Sequence, residues 1–186
     1  MRIIAGRHRG RRLAAPAGEA TRPTAERVRQ ALFDMLWHAP WGGRGLVEEA
    51  AVLDAFAGTG ALGLEALSRG AASASFLETG RPALAALRAN IAACREEARC
   101  RVLAADATRP PRAAAPCTLV FLDPPYREGL MEQAIAALDA AGWIAPGAVL
   151  CAEYGAAPAA PPPGFAPLAA RAHGPAHLLV LRREAA

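Results

Sequence analysis

The 186-residue sequence has no lysine, few aromatic residues and no long uninterrupted apolar segment. A transmembrane helix needs about 18 consecutive apolar residues, and every candidate stretch here is broken by a charge or a proline. The first 13 residues are rich in arginine and lack the apolar segment of a secretory signal. We therefore expect a cytoplasmic protein of about one domain, without a membrane partner.

The cysteines also lack the spacing of a metal site or a disulfide framework. Cys94, Cys100, Cys117 and Cys151 form no CxxC pair and have no neighbouring histidine. Zinc sites and small disulfide-rich folds depend on such spacings. We expect small buried thiols and no bound metal.

All 21 basic residues are arginine, and their distribution is uneven. Residues 1–29 contain eight arginines and two glutamates, whereas the rest of the chain has 13 arginines and 15 acidic residues. Guanidinium groups bind phosphates through paired hydrogen bonds and displace counterions, so this charge pattern favours an anionic partner such as RNA. A solvated basic tail is the alternative. We divide the chain into a basic N-terminal arm, residues 1–24, and a single domain, residues 25–186.

From about residue 50, short apolar segments alternate with helical patterns. This alternation predicts right-handed βαβ units on a parallel sheet, and therefore an α/β doubly wound fold. After residue 164, two further apolar segments predict a closing antiparallel strand pair that turns around His173, Gly174 and Pro175. In such sheets ligands bind beyond the carboxyl ends of the strands.

The first predicted strand leads from Asp54 through a glycine turn into a helix. Gly58 and Gly60 let the backbone approach a ligand closely, and the amides of a helix N-terminus favour an anionic group. Residues 58–63 match GxGxxG, and Glu78 follows about 20 residues later, where an acid binds ribose hydroxyls. The pattern predicts a nucleoside ligand, and a purely structural turn is the alternative.

The third predicted strand ends at Asp106, a residue that alone decides little. Its carboxylate suits the amino group of an adenine, and equally suits the cap of a helix.

The fourth predicted strand ends in Asp123-Pro124-Pro125-Tyr126. The two prolines fix the backbone and donate no N–H, so the Asp123 carboxylate and the Pro124 carbonyl form a pair of acceptors. Such a pair suits the exocyclic NH2 of a nucleobase and directs the nitrogen lone pair towards an electrophile. The Tyr126 ring offers a flat surface for the base.

These residues, together with "RIIAGRHRGRRL", "RPTAERVRQALFDML" and "GALGLEALSRGA", resemble the RsmD type of 16S rRNA guanine-N2 methyltransferase. The resemblance implies a Rossmann-like class I methyltransferase with a mostly parallel seven-stranded sheet and helices on both faces. It implies S-adenosylmethionine as cofactor, S-adenosylhomocysteine as product, and 16S rRNA or a small-subunit intermediate as partner. We expect a monomer and a reaction that needs no metal.

The resemblance also implies roles for individual residues. Cofactor contacts are implied for Asp54, Phe56, Gly58, Thr59, Gly60, Glu78, Asp106, Ala107, Arg22 and Thr24. Asp123, Pro124 and Tyr126 are expected to orient the guanine amine and hold the flipped base. We expect RNA contacts from Arg7, Arg9, Arg11, Arg12 and Pro125. Two segments depart from the family pattern, namely residues 79–80 and residues 173–177.

Three alternative functions are compatible with the same sequence patterns. The same acceptor pair suits adenine N6 or cytosine N4 of DNA or another RNA. The GxGxxG pattern also occurs in NAD-dependent dehydrogenases, and the basic arm alone is compatible with a noncatalytic RNA-binding protein.

Overall fold

A seven-stranded sheet forms the centre of the chain, whose computed structural model describes residues 1–16, 23–125, 129–155, 160–173 and 176–185. The strands lie in the order β3-β2-β1-β4-β5-β7-β6, with β1 to β5 parallel and β7 antiparallel to both of its neighbours. This topology confirms the predicted α/β fold with its closing antiparallel pair. The strands are β1 (Ala51–Ala55), β2 (Ser73–Glu78), β3 (Cys100–Ala104), β4 (Cys117–Leu122), β5 (Ile144–Tyr154), β6 (Phe165–His173) and β7 (Ala176–Arg183).

Helices cover both faces of this sheet, as predicted. Successive side chains of a strand point to opposite faces, so the apolar strands β1 and β4 each supply two cores. One core joins the first three helices to residues such as Phe76 and Phe121, and the other joins the fourth helix to residues such as Leu122 and Trp143. The helices are α1 (Pro23–His38), α2 (Ala61–Ser68), α3 (Arg81–Cys94) and α4 (Leu130–Ala140).

Residues 1–16 form an amino-terminal hairpin that is folded onto the domain. Arg2 and Arg12 pair in antiparallel fashion, and the Ile3 N–H donates to the Arg11 carbonyl at 2.9 Å. Ile3 and Leu13 are buried in the core that α1, α2 and α3 share. Most of the predicted arm that the structure describes is therefore packed on the domain. The boundary at residue 24 stays a prediction.

Other features of the sequence have simple counterparts in the fold. Cys94, Cys117 and Cys151 are buried free thiols, and Cys100 is half-buried. In the described ranges, no helix has the length and hydropathy required to cross a membrane. Nor do any three His, Cys, Asp or Glu side chains of those ranges cluster as metal ligands would.

Candidate active site

Three acidic residues meet at the carboxyl edge of the sheet. Strand β1 lies between β2 and β4, so the segments that leave these three strands are neighbours. Asp54 lies in β1, Glu78 ends β2 and Asp123 directly follows β4. Parallel strands bring their carboxyl ends to one edge, which is where such sheets bind ligands. The sheet order therefore assembles three predicted site residues that are far apart in the sequence.

The glycine loop, residues 56–60, connects β1 to α2 through left-handed backbone conformations. Phe56 has φ 82°, Gly58 has φ 53° and Gly60 has φ 79°. Strained backbone of this kind at a non-glycine residue such as Phe56 is typical of functional sites. A Cβ atom on Gly60 would lie 2.3 Å from Leu87 Cδ1, whereas one on Gly58 would meet no atom within 4 Å. Gly60 is thus favoured by its left-handed φ as well as by its contact with Leu87 of α3, and within the loop only Gly58 faces open space.

The Glu78 carboxylate fixes the backbone around it. Its Oε2 accepts the Gly58 N–H at 2.8 Å, and its Oε1 accepts the N–H groups of Thr79 at 2.8 Å and Gly80 at 2.6 Å. A carboxylate has about four acceptor positions, so three bonds leave capacity for a ligand hydroxyl. Glu78 therefore shapes the glycine loop and remains able to bind a ribose.

A cleft of about 420 Å³ opens beside this carboxylate. Its volume lies within the usual range for small-molecule sites. Gly58, Thr59 and Glu78 were predicted from the sequence as ligand-binding residues, whereas the other lining residues were not. Pro16 reaches the cleft through long-range folding, which leaves no local signal in the sequence. The lining residues are Pro16, Gly58, Thr59, Glu78, Gly80, Pro82 and Ala83.

Asp54 is a buried carboxyl beneath the glycine loop, with 3% of its surface exposed. Burial raises the pKa of Asp54 to about 7, although the Gly63 N–H, which donates to its Oδ2 at 2.9 Å, lowers it. The negative charges of Asp123 and Glu78 raise the pKa further. Within the described part of the chain, no arginine forms an ion pair with Asp54. Asp54 is therefore a buried acid that no described cation neutralises.

Asp123 has a similar electrostatic environment at the end of β4. Burial raises the pKa of Asp123 to about 7, and the negative charge of Glu153 adds to the rise. The residue is nevertheless exposed, so solvent reaches part of its surface although protein surrounds the carboxyl closely enough to disfavour its charge. Pro124 is buried and Pro125 is exposed. The geometry keeps an acidic acceptor next to a rigid, donor-free backbone.

The remaining predicted cofactor residues are less completely defined. Asp106 Oδ1 accepts the Thr108 N–H at 2.8 Å and the Thr108 hydroxyl at 2.7 Å, and these bonds hold the pKa of Asp106 below its usual value. Ala107 beside it is buried. Arg22, Tyr126 and the turn residues 174–175 lie outside the described residues, as does the side chain of Thr24.

The predicted RNA-contacting arginines lie on the amino-terminal hairpin. Arg9, Arg11 and Arg12 are exposed, and Arg7 Nη1 lies 3.8 Å from Glu96 Oε1. The same hairpin supplies Pro16 to the cleft. The folded hairpin therefore brings its positive charge and one wall of the cleft together within a single segment.

Comparisons with known proteins agree with this architecture. The family described as Conserved hypothetical protein 95 matches residues 1–181. Ribosomal RNA small subunit methyltransferase D of Escherichia coli is 42% identical over 154 residues, which cover 82% of this chain and 74% of that protein. The protein of the same name in Haemophilus influenzae is 37% identical over 158 residues, with 82% and 78% covered.

Solved structures show the same fold. The putative methyltransferase yhhF from Escherichia coli has a TM-score of 0.85 and 36% identity, covering 100% of this chain and 99% of that chain. TrmN from Thermus thermophilus has a TM-score of 0.67 and 26% identity, covering 84% of this chain and 48% of that chain. The sheet is therefore the Rossmann-like sheet of methyltransferases, as predicted.

Proposed function

We infer function from one premise: this chain belongs to the family of ribosomal RNA small subunit methyltransferase D, a family of rRNA methyltransferases. We propose that it transfers a methyl group from S-adenosylmethionine to the N2 amine of a guanine in 16S rRNA. The partner is the rRNA itself or a small-subunit assembly intermediate. The cytoplasm as the place of action and the monomeric state belong to the same proposal.

The observation that carries this proposal is the meeting of two features at one sheet edge. The cleft beside the glycine loop lies at the end of β1 and β2, and the Asp123-Pro124 corner lies at the end of the adjacent β4. A nucleoside-binding cleft next to a pair of amine acceptors is the arrangement that methylation of a base amine requires.

The residues present fit S-adenosylmethionine. Its sulfonium and ammonium groups are cationic. Asp54 and Asp123, which form no ion pair with an arginine of the described residues, make an acidic region suited to a cation. Glu78 has acceptor capacity for ribose hydroxyls, and Asp106 with Ala107 would hold the adenine. The glycine loop would enclose the methionine end through Gly58 and Thr59. When bound, the cofactor supplies an electrophilic methyl carbon.

Asp123 and Pro124 perform the protein's part of the chemistry. The carboxylate and the proline carbonyl accept the two hydrogens of the guanine amine, which directs its lone pair away from the ring. As positive charge develops on the nitrogen, these fixed acceptors stabilise it without reorganisation. A carboxylate with a pKa near 7 is also able to take the proton that the amine loses, and water is the other acceptor. Tyr126 would hold the flipped base.

The substitution Asp123→Ala tests this assignment. We expect methyl transfer to fall by at least about a hundredfold, because a preorganised acceptor is lost. Cofactor affinity, measured by calorimetry, should stay within a few fold. Asp139→Ala is the matched control, since Asp139 forms a half-buried ion pair with Arg183 at 2.5 Å and lies outside the site. Substantial remaining transfer by the Asp123 variant would contradict the assignment.

The identity of the methylated base requires a separate measurement. Adenine N6 and cytosine N4 present the same two hydrogens to the acceptor pair, so they remain alternatives. Labelled methyl groups should be transferred to 16S rRNA or small subunits, and digestion to nucleosides should yield N2-methylguanosine. Recovery of the label in N6-methyladenosine or N4-methylcytidine, or in DNA, would show that the substrate is not a guanine of 16S rRNA. RNA binding without cofactor binding would indicate the noncatalytic alternative.

The arginines of the amino-terminal hairpin account for RNA affinity in this proposal. Substituting Arg9, Arg11 and Arg12 by alanine should weaken RNA binding and lower the slope of log affinity against log salt by about one unit per lost phosphate contact. Cofactor affinity should not change. Arg101→Ala, on the exposed surface of edge strand β3, is the control. An unchanged slope in the triple variant would show that the hairpin charges do not contact RNA.

A further inference from the structure

We propose that Asn90 is a positioning residue for the cofactor cleft. Its side chain fastens the end of the amino-terminal hairpin to the glycine loop, and this link holds Pro16 in place as a wall of the cleft. The inference rests on the proposed function, because it takes the cleft to be the site of S-adenosylmethionine.

Asn90 lies in α3 with 2% of its surface exposed. Its Oδ1 accepts the Ala14 N–H at 2.7 Å, and its Nδ2 donates to the Ala14 carbonyl at 3.0 Å and to the Thr59 carbonyl at 2.9 Å. The amide group is planar and uses both of its donor hydrogens here. A single rigid group therefore fixes the distance between the hairpin and the glycine loop.

One end of this link lines the cleft, and the other end is close in sequence to a lining residue. Thr59 lines it directly, and Ala14 precedes the lining residue Pro16 by two positions. Loss of the link would leave this wall of the cleft without its connection to the loop opposite.

The surroundings of Ala14 indicate that the hydrogen bonds from Asn90 serve to position the end of the hairpin. Ala14 itself is exposed, and its hydrogen bonds to Asn90 lie in a partly buried position. Leu13, buried beside it, already anchors the hairpin to the core. A buried asparagine that bonds both backbone groups of an exposed residue therefore contributes orientation more than polar satisfaction.

Ser68 provides a matched comparison at the other end of the hairpin. This buried residue donates from its hydroxyl to the Ala5 carbonyl at 2.5 Å and accepts the His8 N–H at 2.9 Å. It thus fastens the same hairpin to α2, and it is not one of the residues that line the cleft. Loss of Ser68 should loosen the hairpin without altering the cleft wall.

The test compares Asn90→Ala with Ser68→Ala. We expect Asn90→Ala to weaken S-adenosylmethionine binding by about tenfold, the equivalent of one buried hydrogen bond, and Ser68→Ala to change it by less than about twofold. In steady state, the KM for the cofactor should rise in the Asn90 variant while kcat stays near the wild-type value. Thermal unfolding of both variants separates this effect from a general loss of stability, which both should show.

A second pair of variants leaves the core untouched. Ala14→Pro removes the N–H that Asn90 accepts, whereas Ala14→Ser keeps it. We expect Ala14→Pro to reproduce the loss of cofactor affinity and Ala14→Ser to bind as the wild type does. In the ligand-free protein, amide hydrogen exchange at Thr59 and residues 14–15 should be faster in Asn90→Ala than in Ser68→Ala.

The outcomes separate the two proposals. Wild-type cofactor affinity in both Asn90→Ala and Ala14→Pro, or equal losses in Asn90→Ala and Ser68→Ala, would overturn the role of Asn90 and leave the proposed function intact. A wild-type protein that neither binds S-adenosylmethionine nor methylates RNA would overturn the proposed function and this inference with it.

Discussion

Carboxyl groups surrounded by protein occur in two regions of this molecule, and the two regions differ in whether positive charges lie beside them. At the hairpin seam, which we define as Glu65 and Glu96 with their partners, every acid is matched by cations. Glu65 is 0% exposed, and its Oε1 accepts the Arg69 Nε–H at 2.7 Å while its Oε2 lies 3.6 Å from Arg29. Its two oxygens also accept the N–H groups of residues 4 and 5 in the hairpin, at 2.8 and 3.0 Å.

Glu96 shows the same compensation. Its Oε1 lies 2.6 Å from His8 Nε2, and it accepts hydrogen bonds from Arg99 at 2.6 and 2.7 Å. Burial by itself raises the pKa of Glu96, but the bonds from Arg99 and His8 outweigh it and lower the pKa below its usual value. The seam is therefore electrostatically complete, and its role is to fasten the hairpin.

At the carboxyl edge of the sheet, by contrast, no arginine of the described residues forms an ion pair with Asp54 or Asp123. The pKa values of Asp54 and Asp123 are each raised to about 7, mainly by burial and additionally by neighbouring negative charge. An acid kept in this state costs folding free energy, because the ionised form is disfavoured. Acids with pKa values raised in this way mark the place where a cationic ligand or a developing positive charge would be stabilised.

Removing an acid from the seam should damage stability most. Glu65→Ala leaves the buried charges of Arg29 and Arg69 without their partner, so we expect a loss of about 3–5 kcal/mol in the free energy of unfolding. Urea denaturation measures this loss. Glu48→Ala is the control, because the exposed Glu48–Arg44 pair at 3.8 Å should contribute less than about 1 kcal/mol. Similar losses of unfolding free energy in Glu65→Ala and Glu48→Ala would show that the buried acid of the seam stabilises the protein no more than an exposed ion pair does.

Removing an acid from the carboxyl edge should affect binding and spare stability. Asp54→Asn keeps an acceptor for the Gly63 N–H but removes the charge. We expect S-adenosylmethionine binding to weaken by roughly tenfold to a hundredfold, the loss of one charged partner for a cation. The free energy of unfolding at pH 8 should be unchanged or higher. A clear loss of stability with unchanged affinity would make Asp54 a structural residue.

The pH dependence of stability should have opposite signs in the two regions. With its pKa raised to about 7, Asp54 holds its proton more tightly in the folded state, so its contribution is present below the unfolded pKa near 4 and is lost as pH rises to about 7. Glu96, with a lowered pKa, contributes above its unfolded pKa and loses that contribution as pH falls through its folded value.

Difference curves against the wild type check these signs. The free energy of unfolding of Asp54→Asn should increase relative to that of the wild type as pH rises from 5 to 7, by at most about 1.4 kcal/mol per pH unit. Glu96→Gln should lose less stability than the wild type when the pH is lowered below the unfolded pKa of glutamate. Equal slopes for the two variants would show that the two regions do not differ electrostatically.

Most of the sheet was predictable because its signals are local. The apolar segments that end at Glu78 and just before Asp123 are bounded by glycine or proline, and the structure ends β2 and β4 at those positions. The glycine loop was equally visible, although Gly60 is explained by contact with Leu87. The seam was not predictable, since Glu65 and Glu96 resemble ordinary helix-surface acids until the hairpin folds over them.

The order of strands and helices, and the residues that follow each strand, can be read from the amino-acid sequence because apolar periodicity and turn residues act over a few positions. The folded chain was needed to show that residues 1–16 form a hairpin, that Pro16 lines the cleft and that Asn90 joins Ala14 to Thr59. These contacts join segments far apart in the chain. The pKa values of Asp54 and Asp123 were decided in the same way, since burial and neighbouring charge exist only in the folded chain.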